Sequence, residues 1–179
     1  MPEYREARTI GIYLSMPSQE VSTQSIVQDA LQKGKRVLVP YLHKNRSTDG
    51  PKMLMEMVSL HDEEDYNSLQ PDRWGIPTPS SDSVPNRSHT FSENESQNLR
   101  LGTKIDLMLM PGVAFDTQCR RLGHGKGFYD FFLSRYRDAC ADHKDHGAAG
   151  PPPPKMPILG TCPPSYMISA HTPSCSGVP

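Results

Sequence analysis

Residues 120–130, RRLGHGKGFYD, concentrate the groups that could do chemistry: Gly123, Gly125 and Gly127 alternate with His124 and Lys126 behind two arginines. Alternating glycines let a backbone bend around a phosphate without Cβ clashes and turn its N–H groups inward. Arg120, Arg121 and Lys126 put positive charge at the same place. Lys126 is followed by Gly127 rather than Ser or Thr, and Phe128 interrupts a dinucleotide fingerprint, so neither of those two phosphate loops is matched. Taken alone, the stretch reads equally as a flexible turn or as an anion site at a helix N-terminus. Asp130 follows Lys126 by one helical turn. That spacing sets a carboxylate for Mg²⁺ beside a lysine for phosphate, or makes a plain surface ion pair.

Such a loop needs a strand before it and a helix after it. Residues 105–110 (IDLMLM) are nearly continuous in apolar side chains, as in a central strand covered on both faces. An amphipathic helix is expected from about Phe128, carrying Phe131, Phe132 and Tyr136. Near the start, residues 9–15 alternate in polarity and predict a strand. Ile26, Val27, Ala30 and Leu31 then recur on one helical face, with Ser22 and Thr23 as N-caps and Gly34 as the stop, and residues 36–42 predict a second strand. Strand, helix and strand form a βαβ unit with a right-handed crossover, which implies a largely parallel sheet.

Further strands are expected at 53–60 and 156–160, and a polar helical turn at 62–69. Two prolines should keep residues 74–79 (WGIPTP) out of regular structure, with the sole tryptophan anchoring the loop on the surface. Residues 80–98 are rich in Ser, Asn, Asp and Glu and read as a mobile insertion without a role in the core. The domain is therefore drawn at 1–146, followed by a Pro-rich, disordered tail at 147–179 that opens with the stiff run at 151–154.

With 179 residues the chain has room for one α/β domain. Its 19 Lys and Arg against 20 Asp and Glu leave no bulk field for nucleic acid or anionic lipid. The apolar share of 35 % and the mean hydropathy of -0.59 point to segments that do not pack. Apolar runs fall far short of the ~20 residues that cross a bilayer. A cytoplasmic protein is expected, with Cys119, Cys140, Cys162 and Cys175 as thiols. Cys140, His143 and His146 give three potential zinc ligands without a fourth in a solvated stretch, and read as surface residues.

Four ordered pieces resemble the 5-formyltetrahydrofolate cyclo-ligases: residues 12–16 (IYLSM) with Glu20, residues 74–79, residues 110–116 (MPGVAFD) and residues 121–130. The resemblance covers about residues 8–136, and its last block is the most specific. It implies a Rossmann-like three-layer α/β fold with a mostly parallel sheet, and an ATP- and Mg²⁺-dependent conversion of 5-formyltetrahydrofolate into 5,10-methenyltetrahydrofolate, ADP and phosphate. A formamide is a poor electrophile. In the family's chemistry the γ-phosphoryl group passes to the formyl oxygen, the folate N10 attacks the iminium-like carbon, and phosphate leaves. The protein's share is then positioning and charge neutralisation.

Carried over residue by residue, the resemblance implies that Arg121, Leu122, Gly123, His124, Gly125, Lys126, Gly127, Phe128 and Tyr129 line the ATP phosphates, with Lys126 and Arg121 as the catalytic cations. The run from His124 to Phe128 also faces folate, together with Leu14 and Glu20, and Asp130 ligates Mg²⁺. The alternatives are first-turn helix charge for Glu20, core for Leu14, and either core or an aromatic wall for Phe128 and Tyr129. His124 stands where relatives carry Arg. Members usually open with a helical segment whose Lys and Arg contact ATP, and supply a second acidic metal ligand beyond the position of Ile158 and Leu159. Only residues 1–8 precede the first strand here and no Asp or Glu follows Thr161, so the fold is expected to be incomplete at both ends. A monomer acting on a folate and ATP follows, with no nucleic acid or membrane partner. The alternative is a non-catalytic nucleotide- or folate-binding remnant, or an incomplete gene product, of that family.

Overall fold

The computed structural model describes residues 1–17, 20–46, 50–93, 99–116, 120–142 and 158–161. Residues 94–98 of the expected insertion, Cys119, His143, His146, the proline run at 151–154, and Cys162 and Cys175 with the tail around them lie outside the described residues.

Helix α1 (Pro2–Glu6) leads into β1 (Thr9–Ile12), α2 (Gln24–Gln32), β2 (Arg36–Lys44) and β3 (Met53–Ser59). Then come α3 (Glu63–Ser68), β4 (Gln70–Pro71), β5 (Pro77–Thr78), β6 (Phe91–Glu93), β7 (Leu99–Leu101) and β8 (Leu107–Pro111). Strands β9 (Ala114–Phe115) and β10 (Arg121–Leu122), helix α4 (Phe128–Asp142) and β11 (Ile158–Thr161) complete the order. Five strands form one sheet in the order β11-β8-β1-β2-β3. β1 runs parallel to β2 and β8, and β8 parallel to β11, whereas β2 and β3 are antiparallel. Helix α2 provides the crossover that a parallel pair requires, while the short connection from Lys44 to Met53 permits only a hairpin. Among the described residues no helix is long and apolar enough to cross a membrane.

Period two along the strands splits the core between the two faces of the sheet. Ile10, Ile12, Val37, Val39, Val58, Leu107 and Leu109 pack with Val27 and Ala30 of α2. Leu38, Met55, Met57, Met108 and Met110 pack with Phe132, Tyr136 and Ala139 of α4. The result is a three-layer α/β fold with a mostly parallel sheet. The continuous apolar run in β8 is explained, since its alternate side chains enter different clusters. Tyr136 pins the approach to that strand: its hydroxyl accepts from the Ile105 N–H at 2.9 Å.

Three expectations change. The first strand ends at Ile12 rather than Ser15, because the Tyr13 carbonyl turns out of the ladder to accept from Thr23 Oγ1 at 2.8 Å. Pro77 enters regular structure, in a two-residue antiparallel ladder with Pro71, where an edge position tolerates the missing N–H. The segment expected as an insertion outside the core supplies buried Val84, Arg87, Thr90 and Phe91. The physical reason is the free edge of β3, which must find partners. Ser59 N–H donates to Ser88 O at 2.9 Å and Thr90 N–H to Met57 O at 3.0 Å, zipping residues 88–90 onto that edge.

Candidate functional site

β1 and β8 are neighbours, but the chain leaves β1 towards β2 on one side, while β8 has β11 on the other. Loops leaving the carboxyl ends of two such strands diverge and open a crevice, the usual ligand position in an open parallel sheet. One wall is made by the described residues of the loop after Ile12, and the other by residues 112–116 and 120–127.

In the first wall Tyr13 donates its hydroxyl to Val21 O at 2.7 Å, and one Glu20 carboxylate oxygen accepts from the Met16 N–H at 2.8 Å. Glu20 therefore closes its own loop and stands before α2, which excludes the first-turn alternative. Leu14, only 5 % exposed, belongs to the core cluster, so any ligand contact it makes is a packing contact from below. Residues 74–79 reach the same wall, where Gly75 has a left-handed φ of +79° and packs tightly, since a Cβ there would lie 3.2 Å from Pro17 Cγ.

The second wall begins as a hairpin rather than a loop. Arg121 and Leu122 pair with Phe115 and Ala114, and Asp116 clasps Arg120 by Nε to Oδ2 at 2.6 Å. Arg121 is turned inward with a side chain only 12 % exposed. Its Nη1 donates to Pro111 O at 3.2 Å, and its Nη2 lies 3.1 Å from each oxygen of Asp130. Gly123 allows this, since a Cβ there would sit 2.7 Å from Arg121 Nη1. Gly125 and Gly127 take left-handed φ values of +77° and +67°, which side chains disfavour, and carry the chain into the N-terminus of α4. The ion pair foreseen between Lys126 and Asp130 is replaced by Arg121 with Asp130, because Lys126 precedes the helix; its Nζ lies 5.5 Å from the centroid of the Trp74 ring.

Tyr129 sits half-buried between the walls. Burial pushes its hydroxyl above the ordinary tyrosine range; the Glu20 carboxylate adds to this, the Arg121 guanidinium opposes it, and Tyr13 adds a little more. The Tyr129 ring packs against the core cluster that holds Tyr13 and Leu14. The Arg121 guanidinium lies 5.5 Å from the same ring. Beside Lys126 a hollow of about 240 Å³ is lined by Met53, Met55, Phe128 and Phe131. Sequence reasoning missed the two methionines, although their alternation along β3 places them on one face.

A polyphosphate and its Mg²⁺ fit these donors. The first amides of a long helix have no helical acceptors, and α4 offers them beside Lys126. Asp130 is 73 % exposed, and one carboxylate with phosphate oxygens and water is a donor set that Mg²⁺ favours. Of the sequence-derived residues, the structure joins Arg121 to Asp130 and to the Tyr129 ring, sets Lys126 over Trp74, leaves His124 exposed and keeps Leu14 in the core.

Fold and site together define an α/β protein whose Gly-rich loop opens a helix at the carboxyl edge of a mostly parallel sheet. The family model described as the 5-formyltetrahydrofolate cyclo-ligase family matches residues 1–149, and the chain belongs to that family. It is 32 % identical over 137 residues to a probable 5-formyltetrahydrofolate cyclo-ligase of Schizosaccharomyces pombe, covering 76 % of this chain and 57 % of that protein. It is 31 % identical over 144 residues to the 5-formyltetrahydrofolate cyclo-ligase of Mus musculus, covering 80 % and 60 %. The chain thus spans less than two thirds of the length of these relatives. The NMR structure of Aquifex aeolicus 5,10-methenyltetrahydrofolate synthetase superposes with a TM-score of 0.48 at 21 % identity, covering 90 % of this chain and 60 % of that one.

Proposed function

We propose that this chain catalyses the ATP- and Mg²⁺-dependent cyclisation of 5-formyltetrahydrofolate to 5,10-methenyltetrahydrofolate, with release of ADP and phosphate. The observation that carries the reading is a chain of contacts that links three segments: Gly75 seats against Pro17 of the Glu20 loop, Lys126 Nζ lies 5.5 Å from the Trp74 ring centroid, and Arg121 pairs with Asp130. In this reading Lys126, the loop amides and the N-terminus of α4 hold the ATP phosphates, and Arg121 adds a second cation at the base of the loop. Asp130 would hold Mg²⁺, which when bound would offset phosphate charge. Glu20 accepts from the pterin N–H groups, with Leu14 below and the run from His124 to Phe128 between folate and phosphate. No side chain needs to act as a nucleophile, so the residues contribute orientation and fixed charge.

The same reading makes residues 1–146 the working domain of a cytoplasmic monomer that acts on two small molecules. A net charge of -1 supports the lack of a nucleic-acid partner. The test mixes the purified 179-residue chain with Mg·ATP and 5-formyltetrahydrofolate and follows the near-ultraviolet band of the methenyl product together with phosphate release. Both signals are expected. Folded protein that binds both ligands without either signal would be a non-catalytic binder, and protein that binds neither would end the proposal.

A further inference from the structure

Lys126 stands between two glycines in left-handed conformation, and among the described residues a Cβ added at either would touch nothing within 4 Å. Among the described residues no steric wall restrains this part of the loop, so a four-carbon stem mounted there samples many positions besides the one that meets an anion. The indole below its ammonium is mounted quite differently. Asp72 Oδ1 accepts from the N–H groups of Trp74 at 2.8 Å and Ile76 at 3.0 Å. Asp72 N–H donates to Ile76 O, and Gly75 N–H to Asp72 O, both at 2.9 Å. The β4-β5 ladder closes this turn, Gly75 seats against Pro17 of the Glu20 loop, and the Arg73 guanidinium stacks 3.9 Å from the indole centroid. A firmly built aromatic platform thus meets a loosely held cation, with Lys126 Nζ at 5.5 Å.

We propose that Trp74 is a positioning residue for Lys126: its ring holds the ammonium at the crevice so that less side-chain freedom is lost when a nucleotide polyphosphate binds. The inference rests on the nucleotide reading above and adds to it a residue that touches neither phosphate nor metal. The attraction of a cation for an exposed aromatic face corresponds to about twofold to fivefold in a binding constant.

The experiment is calorimetric titration of the full chain with Mg·ATP, using wild type, Trp74→Leu, Trp74→Phe, Lys126→Met and the Trp74→Leu/Lys126→Met double variant. Trp74→Leu should weaken binding about twofold to fivefold, and Trp74→Phe, which keeps an aromatic face, should stay within about twofold of wild type. In the Lys126→Met background, Trp74→Leu should cost nothing more, which a merely structural role would not predict. Without nucleotide, the Lys126 ε-methylene protons should show an upfield ring-current shift that Trp74→Leu abolishes. Equal losses in both backgrounds, no loss from Trp74→Leu, or a missing ring-current shift would each overturn the positioning role while leaving the nucleotide reading intact. Wild type that binds no Mg·ATP would overturn the nucleotide reading and this inference with it.

Discussion

Replacing Asp65 by Ala should destabilise the fold far more than its position near the surface suggests. Arg87 reaches back from the segment that zips onto β3 and grips Asp65 through Nη1 and Nη2, each at 2.6 Å. The same guanidinium donates to Ser59 O at 2.8 Å and to Ser83 Oγ at 3.1 Å, and its side chain is only 3 % exposed. Removing Asp65 strands this buried charge, a loss of about 3–5 kcal/mol. Removing Arg87 leaves a carboxylate that is 15 % exposed and still accepts from the His61 N–H at 2.9 Å, so a smaller loss of about 1–3 kcal/mol is expected. At about 2–4 °C per kcal/mol for a chain of this size, Asp65→Ala should lower Tm by about 6–20 °C. Urea unfolding followed by circular dichroism at neutral pH, on both single variants and the double, measures the losses and their coupling. An Asp65→Ala loss below about 1 kcal/mol, the value of an exposed pair, or additive effects in the double variant, would refute the buried-clamp argument. Acid supplies an independent check. Burial raises the Asp65 carboxyl, but the Arg87 hydrogen bonds and the His61 N–H outweigh it, so the group sits below the usual carboxylate range. A depressed carboxyl contributes its full stability above the unfolded pKa of about 3.9 and loses it as pH falls through the lower folded value. Wild type should therefore lose a stabilising increment below about pH 4 that Asp65→Asn lacks.

Lys126→Met should weaken Mg·ATP binding by about tenfold to a hundredfold, the size of a lost hydrogen bond to a charged group, with the thermal melt unchanged. Asp130→Asn should raise the Mg²⁺ concentration needed for half-maximal turnover and leave stability within about 1 kcal/mol, since the Asn amide oxygen can still accept from Arg121 Nη2 while Pro111 O accepts from Nη1. Tyr136→Phe should cost about 1–3 kcal/mol in urea unfolding, because it leaves the buried Ile105 N–H without its acceptor.

The alternation of Thr9–Ile12, the one-faced apolar pattern of α2 and the double-faced run of β8 were legible in the sequence, because each records which neighbours its own side chains face. The candidate site was legible for a similar reason: glycines, a lysine and a carboxylate within one short block carry their chemistry locally. Folding decided what the spacing left open. Residues 80–98 looked too polar to pack, yet an edge strand in need of hydrogen-bond partners drew Thr90 and Phe91 into the core. Arg121 looked like a phosphate ligand of the same rank as Lys126, but the end of β8 and the first turn of α4 bring Pro111 O and Asp130 to its guanidinium and turn it inward. By itself the sequence determined the β1-α2-β2 unit and singled out the residues proposed to hold an anion, since periodicity and backbone freedom are local properties. Only the tertiary structure decided that Asp130 meets Arg121, because the turn between β10 and α4 folds two nearby residues onto each other, and that Lys126 rests on Trp74, because that contact joins segments far apart in the chain.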